Sequence, residues 1–223
     1  MPNDAITRTE RSSLMTYTGL FVALFAIPLI TQIVRQISPD ADTSQVIIRE
    51  LLISASAGAL QVLVKYGEKL PFKTIGLGTS VWWKSVLWGL ATMFLCGGAA
   101  VFLEKTTRLG GDGVSPFDRL PLWVFVLIIF RAGIVEELFY RGYAIEHLEA
   151  IGRGRFASAA LPLLVFAAGH YTGGAGAVLQ ALVLGSILAG FYLWRRDLVA
   201  NSVAHTLVDL VGTGALARIL KSV

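Results

Sequence analysis

The chain has 223 residues, of which 55% are hydrophobic before any of the 23 glycines is counted. Soluble domains reach about 45–50% apolar usage with glycine included and about 25% charged residues, whereas this chain carries 15% charged. Disordered, collagen-like and coiled-coil classes are excluded, and the composition is that of a protein whose solvent is largely lipid. The net charge of +4 sits in short clusters of Lys and Arg between apolar stretches, as in membrane proteins and unlike a nucleic-acid partner. The single cysteine, Cys96, lies inside an apolar stretch and reads as packing.

The first uncharged stretch, residues 12–34, covers about 30 Å of hydrocarbon at about 1.5 Å per residue. It exceeds the length of a signal-peptide core and runs through Pro28 into Ser38-Pro39-Asp40 without a small-residue cleavage pattern, so an uncleaved helix is expected. Residues 51–64 reach spanning length once 46–50 join them, which places Arg49 and Glu50 in an interfacial turn. Residues 85–103 form a third span, with Trp82, Trp83 and Trp88 gathered at its start as interfacial aromatics.

Two further regions, 120–150 and 198–219, are apolar at helical spacing yet carry ionisable residues at membrane depth. Between them, residues 156–194 are uncharged and too long for one span. Gly169-His170-Tyr171-Thr172-Gly173-Gly174 divides that run into two helices. The expected fold is therefore all-α: a polytopic transmembrane bundle of about seven helices, without an internal repeat. Residues 1–119 supply three spans and their loops, and residues 120–223 a helical core that holds the chemistry.

Loop charge sets the expected orientation. With the N-terminus inside, Arg8, Arg11, Lys65, Lys69, Lys73, Lys84, Arg153, Arg155, Arg195 and Arg196 fall on the cytoplasmic side. Arg35, Lys105, Arg108, Arg119, Arg218 and Lys221 fall outside. That bias favours N-in and C-out.

Ionisable groups within a membrane are costly, and each is by default a functional-site hypothesis. In Glu136-Glu137-Leu138-Phe139-Tyr140-Arg141-Gly142, Glu137 and Arg141 share a helix face at the i,i+4 spacing of an ion pair. Glu136 points about 100° away, which would leave one carboxylate held and the other free to act as a general base. The structural alternative pairs both glutamates with Arg131 and Arg141 as glue between helices. Phe166-Ala167-Ala168-Gly169-His170 sets a histidine beside the glycine turn, and His205-Thr206-Leu207-Val208-Asp209 sets His and Asp on one face. His147, among Glu146 and Glu149, reads as solvated.

E-E-x-x-x-R, F-x-x-x-H and H-x-x-x-[DN], in this order on separate membrane helices, resemble the CAAX-protease and bacteriocin-processing (CPBP, or Abi) family of intramembrane proteases. The resemblance covers residues 120–223, with Glu-Glu-Leu-Phe-Tyr-Arg-Gly its most specific part, while the earlier helices are generic. It implies that Glu136 and His170 activate water, that His205 and Asp209 serve the oxyanion, and that Glu137 and Arg141 support them. Asp209 stands where many members have Asn; an ionised carboxylate is a poor oxyanion donor, so orienting His205 suits it better. Counted along the helices, His170 lies about 10–15 Å further out than Glu136 and His205, unless its glycine-flanked helix is shifted or broken.

Other protease motifs are missing: H-E-x-x-H, G-x-S-x-G and a G-x-G-D pair, with Gly110-Gly111-Asp112-Gly113 the nearest approach. Two His and a Glu are also a zinc ligand set, so zinc-activated and glutamate-activated water both stay open. A transporter or a non-catalytic interaction or immunity protein are the competing classes. The expected partners are a peptide or membrane-protein substrate and the lipid bilayer, and the expected location is a prokaryotic plasma membrane.

Overall fold

The computed structural model describes residues 13–37, 42–107 and 120–221. The expectations for Arg8, Arg11, Arg108, Arg119, Ser38-Pro39-Asp40 and Gly110-Gly111-Asp112-Gly113 lie outside the described residues. Within them every regular element is helical. Helix α1 spans Ser13–Ile37. Helix α2, Thr43–Val62, starts where the Asp42 carboxylate accepts the Gln45 amide at 2.9 Å, and it ends in a π-helical turn, Leu63–Gly67. Helix α3 is Trp82–Thr107.

The next helix is the centre of the bundle. It runs as α4 (Leu122–Arg131), a π-helical stretch (Ala132–Ile145) and α5 (Glu146–Ala150). Every residue of the π stretch except Ile134 is buried, because α1, α2, α6 and α8 pack around it. Helix α6 (Arg155–Ala168) stops at the expected glycine turn, a short 3-10 segment spans Tyr171–Gly173, and α7 (Gly174–Arg195) follows. Helices α8 (Leu198–Gly212) and α9 (Ala215–Lys221) close the described chain.

Small residues let backbones meet where helices cross, as lipid-embedded bundles require. A Cβ on Gly133 would lie 2.0 Å from Thr206 Oγ1 and 2.8 Å from the Thr206 amide of α8. One on Gly89 would lie 2.8 Å from the Ala200 carbonyl of α8. Helix α8 is thereby clamped between α3 and the central helix. Cys96 is buried beside Leu188 and Ala204, in the packing role expected of it.

The all-helical membrane bundle matches the sequence reading, but the count of seven spans is not reached on length and apolarity. Four helices qualify (14–37, 43–67, 82–107 and 171–195), or five if α8 and α9, bent by 65°, make one span. Helix α6, with 14 residues, covers only about 21 Å of the roughly 30 Å core. The central helix is interrupted by charged residues that the bundle, not lipid, accommodates.

Two basic loops meet at one end, beside α5. The Leu198 amide donates to the Gly76 carbonyl at 3.0 Å, and Thr79 Oγ1 donates to the Arg196 carbonyl at 2.8 Å. Ser85 Oγ donates to Asp197 Oδ2 at 2.7 Å, and Arg196 binds Glu146 and Glu149 at 2.8 and 2.7 Å. The loop from Lys65 to Lys84 thus shares an end with Arg195 and Arg196, as the charge bias required.

Candidate active site

Glu137 is fully buried and engaged through both of its oxygens. It is 0% exposed, and its Oε1 accepts from Arg141 at 2.8 Å across one turn, the pairing expected from the spacing. His205 Nδ1 lies 2.8 Å from the same oxygen, and Asn201 Nδ2 donates to Oε2 at 3.0 Å. Arg141 also donates to the Gly185 carbonyl of α7 at 3.2 Å and stacks its guanidinium 4.6 Å from the Phe166 ring centre. One carboxylate therefore ties the central helix to α8, and its arginine continues the tie to α6 and α7. With both oxygens engaged, Glu137 is a structural anchor.

Glu136 is different. Among the described residues its one hydrogen bond comes from Arg131, whose NH1 donates to Oε1 at 2.7 Å. The expectation of a free carboxylate is corrected here: Arg131, five residues earlier, reaches back to it. Arg131 is itself shared, because its Nε donates to Glu50 of α2. Glu50 in turn accepts from Arg49 at 2.6 Å. Glu50 is 1% exposed and stands two turns inside α2, not in an interfacial turn. Its burial is compensated by those two guanidinium groups.

The histidines converge through one ring. Phe166 contacts the His170 imidazole edge-on at 4.9 Å between centres and the His205 imidazole at 6.0 Å. His170 Nδ1 bonds the Phe166 carbonyl at 2.9 Å, so its ring folds back along α6. Helical side chains lean toward the N-terminus of their own helix. Glu136 lies within electrostatic reach of both His170 and His205, and α6 ends where the glycines allowed.

His205 is held between carboxylates, with Nδ1 on Glu137 and Nε2 3.5 Å from Asp209 Oδ2. Asp209 lies within electrostatic reach of His205, Glu136, His170 and Arg131. The structure thus brings together all six residues singled out from sequence: Glu136, Glu137, Arg141, His170, His205 and Asp209. Among the described residues no three His, Cys, Asp or Glu side chains converge as a metal-ligand set.

Sequence reading missed Asn201 and the role of Glu50, whereas the Arg131–Glu136 pair was weighed there as the structural alternative. Asn201 had a signal, since it precedes His205 by four residues and so shares the face of His205 and Asp209. His147 is a further correction: it is fully buried, with Nε2 2.8 Å from Glu68 Oε2 and its ring stacked on Tyr143. Thr16 and Tyr143 donate to the other Glu68 oxygen at 3.1 and 3.0 Å. Burial pushes the Glu68 carboxyl up, but these donors outweigh it and hold the carboxyl below its ordinary range.

The comparisons with known proteins fall on this same region. Residues 118–211 match the family described as type II CAAX prenyl endopeptidase Rce1-like. No curated protein and no solved structure matches the chain. The matched segment contains every one of the six motif residues, and the family is one of proteases. Over residues 118–211 the chain is similar to that family, in agreement with the CPBP resemblance that its motifs carry.

Proposed function

We propose that the protein is an intramembrane endopeptidase in which Glu136 activates water. The observation that carries this reading is the division of labour between adjacent carboxylates. Glu137 is engaged through both oxygens by Arg141, His205 and Asn201, whereas Glu136, within electrostatic reach of His170 and His205, accepts only from Arg131 on Oε1 among the described residues and leaves Oε2 open. A base needs such an open acceptor within hydrogen-bond reach of the water. Glu136 takes a proton as the water oxygen bonds to the scissile carbonyl carbon. The same proton then passes to the amide nitrogen as the C–N bond breaks. His205, as an imidazolium with its Nδ1–H fixed on Glu137, directs Nε2–H toward the developing oxyanion, and a donor so placed lowers a barrier by about 2.7–4 kcal/mol. Asp209 orients that ring, and His170 positions the water.

The non-catalytic reading draws on one observation, the Arg131–Glu136 pair, which is glue in its simplest form. The two readings separate by comparing peptides from membranes that carry wild-type protein or Glu136→Gln. A protease yields a peptide or shortened membrane protein that disappears in the variant. Identical peptide sets from equally abundant, folded proteins favour the non-catalytic reading. Metal analysis of the same preparations tests the zinc alternative: stoichiometric zinc lost in His170→Ala would replace the glutamate-only route.

A further inference from the structure

The catalytic cluster leaves one charged cleft unused. It lies at the basic end of the bundle, where the start of α3 meets the corner between α7 and α8. It has a volume of about 480 Å³ and is lined by Thr79, Ser80, Lys84 and Arg195, among others. Among the described residues neither Lys84 nor Arg195 has an acidic partner, although Arg196, next in the chain, has two. Arg195 Nε is buried and has no hydrogen-bond partner. Its guanidinium stacks 5.0 Å from the Trp88 ring centre and 5.4 Å from that of Trp194. The nearby acid, Asp197, is turned away: it accepts from Ser85 and from the Ala200 amide.

Two cations that border one cleft without an acidic partner among the described residues are matched by an anion with several acceptor oxygens. Arg and Lys are suited to phosphate, the first through its planar fork and the second as a point charge. Trp82, Trp83, Trp88 and Trp194 surround this end, and such aromatics mark headgroup depth. We propose that the cleft is a phosphate-binding site that takes the headgroup phosphate of an anionic lipid. Arg195 and Lys84 hold the phosphate oxygens, and the hydroxyls of Thr79 and Ser80 border it. The site braces the corner from which α8, the helix of Asn201, His205 and Asp209, departs.

The test uses the full-length protein with three probes: phosphatidylglycerol, phosphatidylcholine and inorganic phosphate. Native mass spectrometry counts lipids retained, and melting temperature is followed as each probe is added. Wild type should retain phosphatidylglycerol over phosphatidylcholine and gain melting temperature with it. Lys84→Gln with Arg195→Gln should weaken phosphatidylglycerol binding about thirtyfold. Lys105→Gln, at the other end of α3, should leave it unchanged. Arg195→Lys keeps the charge without the fork and guards against a folding defect, so it should fall between the two. Competition by inorganic phosphate at millimolar concentration would assign the site to a free phosphate, and no competition to the lipid headgroup. Equal retention of both lipids, or unaltered phosphatidylglycerol binding in a folded double variant, overturns the proposal.

Discussion

Replacing Arg141 by alanine probes the anchor on which the site depends. The substitution strips Glu137, 0% exposed, of its only formal cation unless His205 is charged, and removes the bond to Gly185 and the stack on Phe166. Leaving one partner of a buried pair uncompensated costs roughly 3–5 kcal/mol. Asn201 and His205 still bond Glu137, which places the loss at about 3 kcal/mol, the lower end of that range. For a chain of this size about 1 kcal/mol moves the midpoint by roughly 2–4 °C, so Arg141→Ala should melt about 6–12 °C lower. Adding Glu137→Gln removes the stranded charge and should restore part of the loss. Differential scanning fluorimetry in one detergent, at fixed protein and lipid content, reads both. A single variant that melts with wild type would refute the anchoring role, as would a double variant that melts below the single one.

Other consequences follow from particular contacts. Gly133→Val should lower both melting temperature and activity, because a side chain there meets the Thr206 backbone and pushes α8 off the central helix; full activity would mean that the crossing tolerates the shift. His205→Ala should cut kcat by roughly 10²–10³-fold while changing KM less, and steady-state kinetics on a reconstituted substrate would show it. The stability that Glu68 lends is fully present above its unfolded-state pKa and fades as pH falls through its lowered folded value. Glu68→Gln should therefore flatten the acid side of a melting-temperature profile, and an unchanged profile would count against the cluster. Cysteines placed at Lys73 and Lys105 in a Cys96→Ser background should label from opposite sides of the membrane, with position 73 cytoplasmic; labelling from one side would reject the N-in topology.

Local features were legible in the sequence and distant pairings were not. The i,i+4 spacing of Glu137 and Arg141 is fixed by helix geometry, and so was readable. The break at residues 169–174 was readable from its glycines. Glu50 and Arg131 are 81 residues apart, and nothing in either local pattern announces their bond. His147 was misread because Glu146 and Glu149 flank it, yet those two turn to Arg196 while His147 meets Glu68, 79 residues away. The count of seven spans is not reached on length and apolarity for a related reason. Charge in the central helix is tolerated because it pairs Arg131 with Glu136 and Glu137 with Arg141, and Glu50 and His205 reach these from neighbouring helices, not because the helix is apolar enough to stand in lipid.

The central claim is that Glu136 is the base of a peptide hydrolysis. Its most direct test is single-turnover cleavage of an identified substrate in proteoliposomes by wild type and Glu136→Gln, each first shown to have the same melting temperature. The amide keeps the shape of the side chain and loses the proton acceptor, so cleavage should disappear while substrate still binds. Cleavage at the wild-type rate by the folded variant would contradict the account.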